Sequence, residues 1–255
     1  MVLGFYFGLA LLIIAGLSVS RRMQGHLVLL ILFNLLQWSL TVYECLHLNA
    51  GAGFFKTDAL AVIMLVVLSI LSTTSSYHSV FYLQHYHRLH STPERAQSIY
   101  YAGLCLLIMA QTGAFLASHI AVTWIFVEIT TFAATVMIYH ERSEESIEAA
   151  WKYLFVCSVA LTLAFTGILF LGIAAEEAGT VNLFYDSLVT HAPAFNAFWL
   201  KLAFLLILIG YSAKMGVFPM HTVTIDAHTV APPPVSAFIS TTLMNVGFVG
   251  IYRMY

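Results

Sequence analysis

Three ionisable side chains stand in long apolar runs of this chain. Glu128 lies in WIFVEITTFAA, with no other charge within ten residues on either side. Lys152 follows in IEAAWKYLFVCS, and Lys214 lies in ILIGYSAKMGVFPMH. A charge at the centre of a membrane helix costs about 2.5–3.5 kcal/mol, whereas each Leu or Ile returns only about 0.5. Such groups normally face a protein interior or a hydrated cavity, where a carboxylate and an ammonium can hold, release and pass a proton. The plainer alternative for Glu128 is a structural glutamate bonded to a neighbouring helix. For Lys152 it is a side chain that snorkels to the interface, or pairs with Glu148 four residues earlier on the same face.

Lys214 is flanked by Gly210 and Gly216, and Pro219 follows. Proline removes a backbone donor and crowds the preceding turn. The spacing predicts a broken or kinked helix, a recurring device in ion pathways because the freed carbonyls face a cavity. An ammonium group in apolar surroundings also gives up its proton more readily than one in water, which suits a relay. The plainer alternative is a kinked packing site. Next comes HTVTIDAHTVAPPPVSAF, which sets His221, Asp226 and His228 in a connection before Pro232–Pro234 open the last apolar run. The three side chains suit a proton entrance near neutral pH as well as they suit a metal, for which a loop of three ligands is a weak signal. Asn245, in TTLMNVGFVG, is either interhelical glue or a holder of water. His78, His85, His87 and His90 read as interface or loop histidines, since His85 and His87 cannot share a helical face.

The elements that must position these groups are membrane helices. Of 255 residues, 60% are hydrophobic and 9% charged, against about 25% charged in soluble domains. Mean hydropathy is +0.89. Eight stretches have the roughly 20 apolar residues that a span requires: 2–20, 26–47, 57–84, 99–117, 119–139, 148–174, 197–220 and 232–253. Polar connections separate them at Asn49–Gly53, His87–Arg95 with Pro93, Glu141–Glu148 and Glu176–Pro193. Ala117, Ser118 and His119 leave room only for a tight hairpin. Arg21, Arg22, Arg88, Arg95 and Arg142 follow the first, third and fifth segments, so the positive-inside rule places those loops in the cytoplasm and both termini outside. Arg21 and Arg22 come after the first apolar run, as expected of an anchored helix and not of a cleaved signal. Tyr100, Tyr101, Trp199, Tyr252 and Tyr255 suit an interfacial belt. Cys45, Cys105 and Cys157 are isolated in apolar runs and read as small packing residues, so no metal or redox cofactor is expected. A formal net charge of −2 gives no reason to expect a nucleic-acid partner.

The runs FVEITTF, IEAAWKYLF and IGYSAKMGVFPMHTVTIDAHTVAPPPVSAFI resemble the antiporter-like membrane subunits of respiratory complex I, group-4 [NiFe] hydrogenases and multisubunit sodium–proton antiporters. Among these the hydrogenase-4 component F type is the most similar in pattern. The resemblance runs from about Phe54 onward and is most specific from Lys214 to Ala237. It implies an all-α polytopic bundle with inverted five-helix repeats and a broken seventh helix. On that frame, 1–96 holds three N-terminal helices and 97–255 the first repeat. It also implies that Glu128 and Lys214 are the pair whose separation moves a proton, with Lys152 a third member and His221, Asp226, His228 and Asn245 along the path. Val223 and Ile225 stand where relatives carry Trp and Pro, and Asn245 where many carry Lys or His.

The implied function is proton translocation in a redox-driven membrane complex, in a bacterial or archaeal cytoplasmic membrane, with partner membrane subunits that handle electrons. The sequence ends after the eighth segment, so the second repeat is expected to be absent from it: either this is a fragment or split gene product, or another chain supplies that half. A structural scaffold and a cation- or proton-coupled secondary transporter are the alternatives.

Overall fold

The structure is a computed structural model that describes the chain apart from residues 1, 49–50, 91–93, 181 and 218–219 and the side chains of residues 52 and 90. The residues expected to mark turns at Asn49, Pro93 and Pro219, and the His90 side chain, lie outside that description. Among the described residues, eight helices are long and apolar enough to cross a membrane. In chain order the helices are α1 (Val2–Val19), α2 (Met23–Leu46), α3 (Ala59–His90), α4 (Glu94–Leu116), α5 (Ile120–Ile138), α6 (Glu144–Glu177), α7 (Tyr185–His191), α8 (Ala197–Met215), α9 (His221–Val230), α10 (Pro233–Phe238) and α11 (Met244–Tyr252). A π-helical turn, Ile239–Leu243, joins α10 to α11 in one span. A short antiparallel hairpin pairs Gly51–Ala52 with Phe55–Lys56.

All eight expected spans form, with longer ends in several. α6 begins at Glu144 and not near 148. Ser143 caps it by accepting a hydrogen bond from the Ser146 amide at 3.1 Å, and Glu144 and Glu145 occupy the first turn. Acidic residues there face the positive end of the helix dipole, so the acidic run extends the helix. α3 likewise continues through His85 and His87. The tight connection after α4 forms as expected. His119 is the N-cap of α5, its Nδ1 accepting the Ala121 amide at 3.2 Å.

α4 is the enclosed helix of the bundle, wrapped by α1, α2, α3 and α5. Its small residues permit this. A side chain at Gly113 would meet the Phe126 ring of α5 at 2.3 Å, and one at Gly103 would meet Met137 at 3.3 Å. α6 and α8 approach closely for the same reason. A Cβ at Gly210 would lie 2.5 Å from the Ala160 carbonyl, and one at Gly167 would lie 2.7 Å from that of Ala203. Small residues at such crossings gain van der Waals contact where lipid gives no hydrophobic drive. The outer faces carry exposed Leu12, Leu35, Ile63, Phe155 and Val159, as lipid-facing or subunit-facing helices do.

The hairpin marks one end of the bundle. There Phe55 bridges Ala117, and His119 bridges Phe184. Arg253 closes the same end. Its guanidinium donates to the carbonyls of Ala117 and Phe115 and pairs with Asp58 at 3.3 Å.

Candidate functional site

The stretch expected to break a helix does so. α8 ends at Met215, and Gly216 adopts a left-handed φ of 64°, a conformation that glycine reaches without a Cβ clash. The Val217 amide donates to the Ser212 carbonyl at 3.1 Å and closes the end. The chain resumes as α9. His221, Asp226 and His228 therefore sit on a ten-residue helix and not in an irregular connection. Val223, Thr224 and Ala227 form its buried face, an i, i+3/i+4 pattern that the β-branched residues and following prolines obscure in the sequence.

Lys214, in the last turn of α8, is 4% exposed. Its Nζ donates to the Tyr153 hydroxyl of α6 at 3.2 Å and lies 5.0 Å from the centre of that ring. Gly247 of α11 makes the space: a Cβ there would approach the Lys214 Cβ at 3.1 Å and the Tyr211 carbonyl at 2.9 Å. Glu128, on α5, is half-buried. Its Oε1 accepts from Ser158 of α6 at 2.9 Å, and its buried Oε2 has no hydrogen-bond partner. Among the described residues no direct ion pair joins Glu128 to Lys214. α6 lies between the two. Its Tyr153 hydroxyl holds Lys214 and its Ser158 hydroxyl holds Glu128, so this helix carries a contact to each of the two groups.

Tyr153, Cys157 and Ser158 are the site residues that the sequence reading missed. The signal for two of them was present. Tyr153, Cys157, Ala160, Ala164 and Gly167 recur at three- and four-residue spacing and are all buried on one face of α6. That stripe is the face α8 packs against, so it carries Tyr153 to Lys214.

Lys152 and the α9 residues lie toward the end opposite the hairpin, and Asn245 lies within the last span. Lys152 is half-exposed and pairs with Glu148 at 2.7 Å and with Asp226 of α9 at 3.4 Å. His228 is half-buried, with Nδ1 2.9 Å from the Ser236 hydroxyl. Burial pushes its imidazole below the ordinary histidine range. His221 opens α9. Asn245 donates to the Thr241 carbonyl of its own span at 2.8 Å, the bond of an amide folded back on its helix.

Known proteins share the sequence pattern and the fold of this chain. The sequence profile described as NADH:quinone oxidoreductase/Mrp antiporter, TM matches residues 117–255. A hydrogenase-4 component F homolog of Methylacidiphilum infernorum is 27% identical over 225 residues, covering 87% of this chain and 47% of that protein. The fold matches a chain of the membrane-bound sulfane sulfur reductase, an archaeal respiratory membrane complex, with a TM-score of 0.80 and 18% identity over 98% of this chain and 52% of that one. It matches a chain of the Mrp complex from Dietzia sp. equally, at 0.80 and 18% identity over 100% and 48%. The chain thus spans about half the length of these proteins. With the profile covering more than half of its residues, the chain belongs to the NADH:quinone oxidoreductase/Mrp antiporter transmembrane family.

Proposed function

We propose that this chain is a proton-translocating membrane subunit of a redox-driven complex. One observation carries the reading: a buried lysine at a helix break bonds to Tyr153 of α6, and Ser158 of the same helix bonds to a half-buried glutamate whose other carboxylate oxygen has no hydrogen-bond partner. Intramembrane ionisable groups are retained where they do work that offsets their insertion cost. In this reading Lys214 carries the proton. When Glu128 is ionised it stabilises the ammonium form across α6, and when Glu128 takes a proton that support is withdrawn and Lys214 releases its own. Tyr153 holds the ammonium in place, and Ser158 holds the carboxylate.

Lys152, Asp226, His221 and His228 form the mouth of this path at the arginine-bearing end, which we assign to the cytoplasm, with the N-terminus outside. Asn245 lies beside the path. Residues 1–96 and 97–255 act as an N-terminal three-helix unit and an antiporter-type repeat. The partners are other membrane subunits, which supply the electron chemistry.

The test is proton pumping by the assembled complex in sealed vesicles. Lys214→Met and Glu128→Gln each abolish pumping while subunit association persists. Undiminished pumping by Lys214→Met overturns the reading, and loss of association without a selective loss of flux favours a scaffold.

A further inference from the structure

A second column of buried polar groups runs through α1–α4 and includes neither Glu128 nor Lys214. At the hairpin end Glu44, in the last turn of α2 and 3% exposed, accepts a hydrogen bond from Thr57. One turn deeper, the hydroxyls of Thr41 and Ser69 lie 2.7 Å apart. Gln37 follows, its Oε1 accepting from Tyr6 at 2.5 Å and from Thr112 at 3.2 Å. At the opposite end, the Ser79 and Tyr100 hydroxyls are 2.9 Å apart, and Tyr82 donates to Glu141 at 2.5 Å. Glu141 ends the turn after α5 and Glu44 stands by the hairpin, so a carboxylate occupies each end of the column.

α3 supplies its spine. Ser69, Ser72, Ser76 and Ser79 are all buried, and their three- and four-residue spacing places them on one stripe. Successive members are separated by about 5 Å along the axis at about 1.5 Å per residue, an interval that one water bridges. Two amides point to such water. Gln111 of α4 is fully buried with neither polar atom bonded, and the Gln37 Nε2 is likewise without a partner. A buried polar group left unpaired costs about 1–3 kcal/mol, and internal waters characteristically satisfy such groups. A cavity of about 440 Å³, lined in part by Ser75, His78, Tyr82 and Pro234, lies beside the lower half of the column.

We propose that this column is a second proton route, running between Glu44 and Glu141. A proton taken up by one carboxylate is matched by release from the other. Between them each hydroxyl or water accepts one proton and donates its own, so no net charge rests on Ser, Thr or Tyr. The route is independent of the Glu128–Lys214 reading, because it shares no side chain with it.

The experiment silences the first path and looks for the second. The full chain, wild type and Lys214→Met, is reconstituted in sodium-free liposomes with a trapped pH dye, and a potassium diffusion potential is imposed. A proton flux remains in Lys214→Met, and adding Glu44→Gln or Glu141→Gln lowers it on the order of a hundredfold, as removal of an acid–base group does. Gln111→Leu, which removes an unpaired amide and leaves an apolar residue of similar size, keeps thermal stability and lowers the flux. The proposal is overturned if Lys214→Met carries no flux above protein-free liposomes. It is equally overturned if Glu44→Gln and Gln111→Leu, folded as judged by circular dichroism, conduct like their background. The earlier reading is judged separately, by the difference between wild type and Lys214→Met.

Discussion

The Lys214 ammonium rests on Tyr153, 3.2 Å from its hydroxyl and 5.0 Å from its ring centre, and not on Glu128. The buried lysine and the half-buried glutamate sit on α8 and α5 with α6 between them. Any interaction between them therefore acts across α6, which bonds each of them separately. This separates two quantities that a contact ion pair would merge. In the proposed mechanism Tyr153 sets where Lys214 stands, and Glu128 sets how strongly its charge is favoured.

Tyr153→Phe tests that division. The variant keeps the ring under the ammonium and removes one hydrogen bond to a charged group, worth about 1.5–3 kcal/mol. Proton pumping by the complex slows by roughly tenfold to a hundredfold, while assembly and the requirement for Glu128 persist. Tyr153→Leu removes ring and hydroxyl together and falls further. Equal pumping by Tyr153→Phe and wild type would show that the hydroxyl does not position the lysine.

The eight spans were legible because a membrane helix announces itself by length and apolarity alone, and Gly210, Gly216 and Pro219 signalled a break, although the expected span ran on to residue 220 and the helix ends at Met215. α9 was not legible as a helix. Its buried face is only Val223, Thr224 and Ala227, and the proline run after it reads as a connection. The site residues on α6 were hidden for a different reason. A buried tyrosine and cysteine at helical spacing are indistinguishable from packing until α8 is known to cross there with Lys214 on its inner face. The absence of a direct bond between Glu128 and Lys214 is a matter of helix positions, which no local pattern encodes. Glu44 escaped notice because it stands near the end of a span, where a carboxylate looks solvated; the structure buries it against Thr57.

Gly247→Val addresses the space around the lysine. A Cβ on Gly247 would lie 2.8 Å from Met215 Cγ, 2.9 Å from the Tyr211 carbonyl and 3.1 Å from Lys214 Cβ. Two of these neighbours belong to the helix wall and cannot yield like a flexible side-chain tip, so α11 must move away from α8. Overpacking of this kind costs about 1–3 kcal/mol. The thermal midpoint of the purified chain falls, and pumping falls with it, whereas Gly247→Ala lies between. An unchanged midpoint for Gly247→Val would mean that the two helices do not approach as described.

His228 gives a pH dependence with a definite sign. Burial lowers its folded pKa below the unfolded value, which is about 6.5. Above that value both states carry a neutral imidazole and the residue adds no slope. As pH falls below it, the unfolded chain takes up a proton that the folded chain resists, so stability decreases until the folded pKa is passed. Thermal melts across the acidic range therefore show a downward slope that is shallower in His228→Gln. A steeper slope in that variant would reverse the assignment.

Arg253→Met examines the clamp at the hairpin end. The Arg253 guanidinium serves the Phe115 carbonyl at 2.6 Å and the Ala117 carbonyl, pairs with Asp58 at 3.3 Å, and lies 5.4 Å from the centre of the Tyr185 ring. Its side chain is almost wholly buried, whereas Asp58 is half-exposed, so the ion pair is the weaker part and the two carbonyls at the end of α4 are the stronger. Each carbonyl left without its donor costs about 1–3 kcal/mol if water does not reach it. The melting temperature of Arg253→Met therefore falls, and the fall is nearly independent of salt, since screening weakens exposed ion pairs far more than buried hydrogen bonds. Arg253→Lys recovers only part of the loss, because one ammonium cannot reproduce the planar fork that spans both carbonyls. A loss that disappears in high salt would instead place the energy in the Asp58 pair.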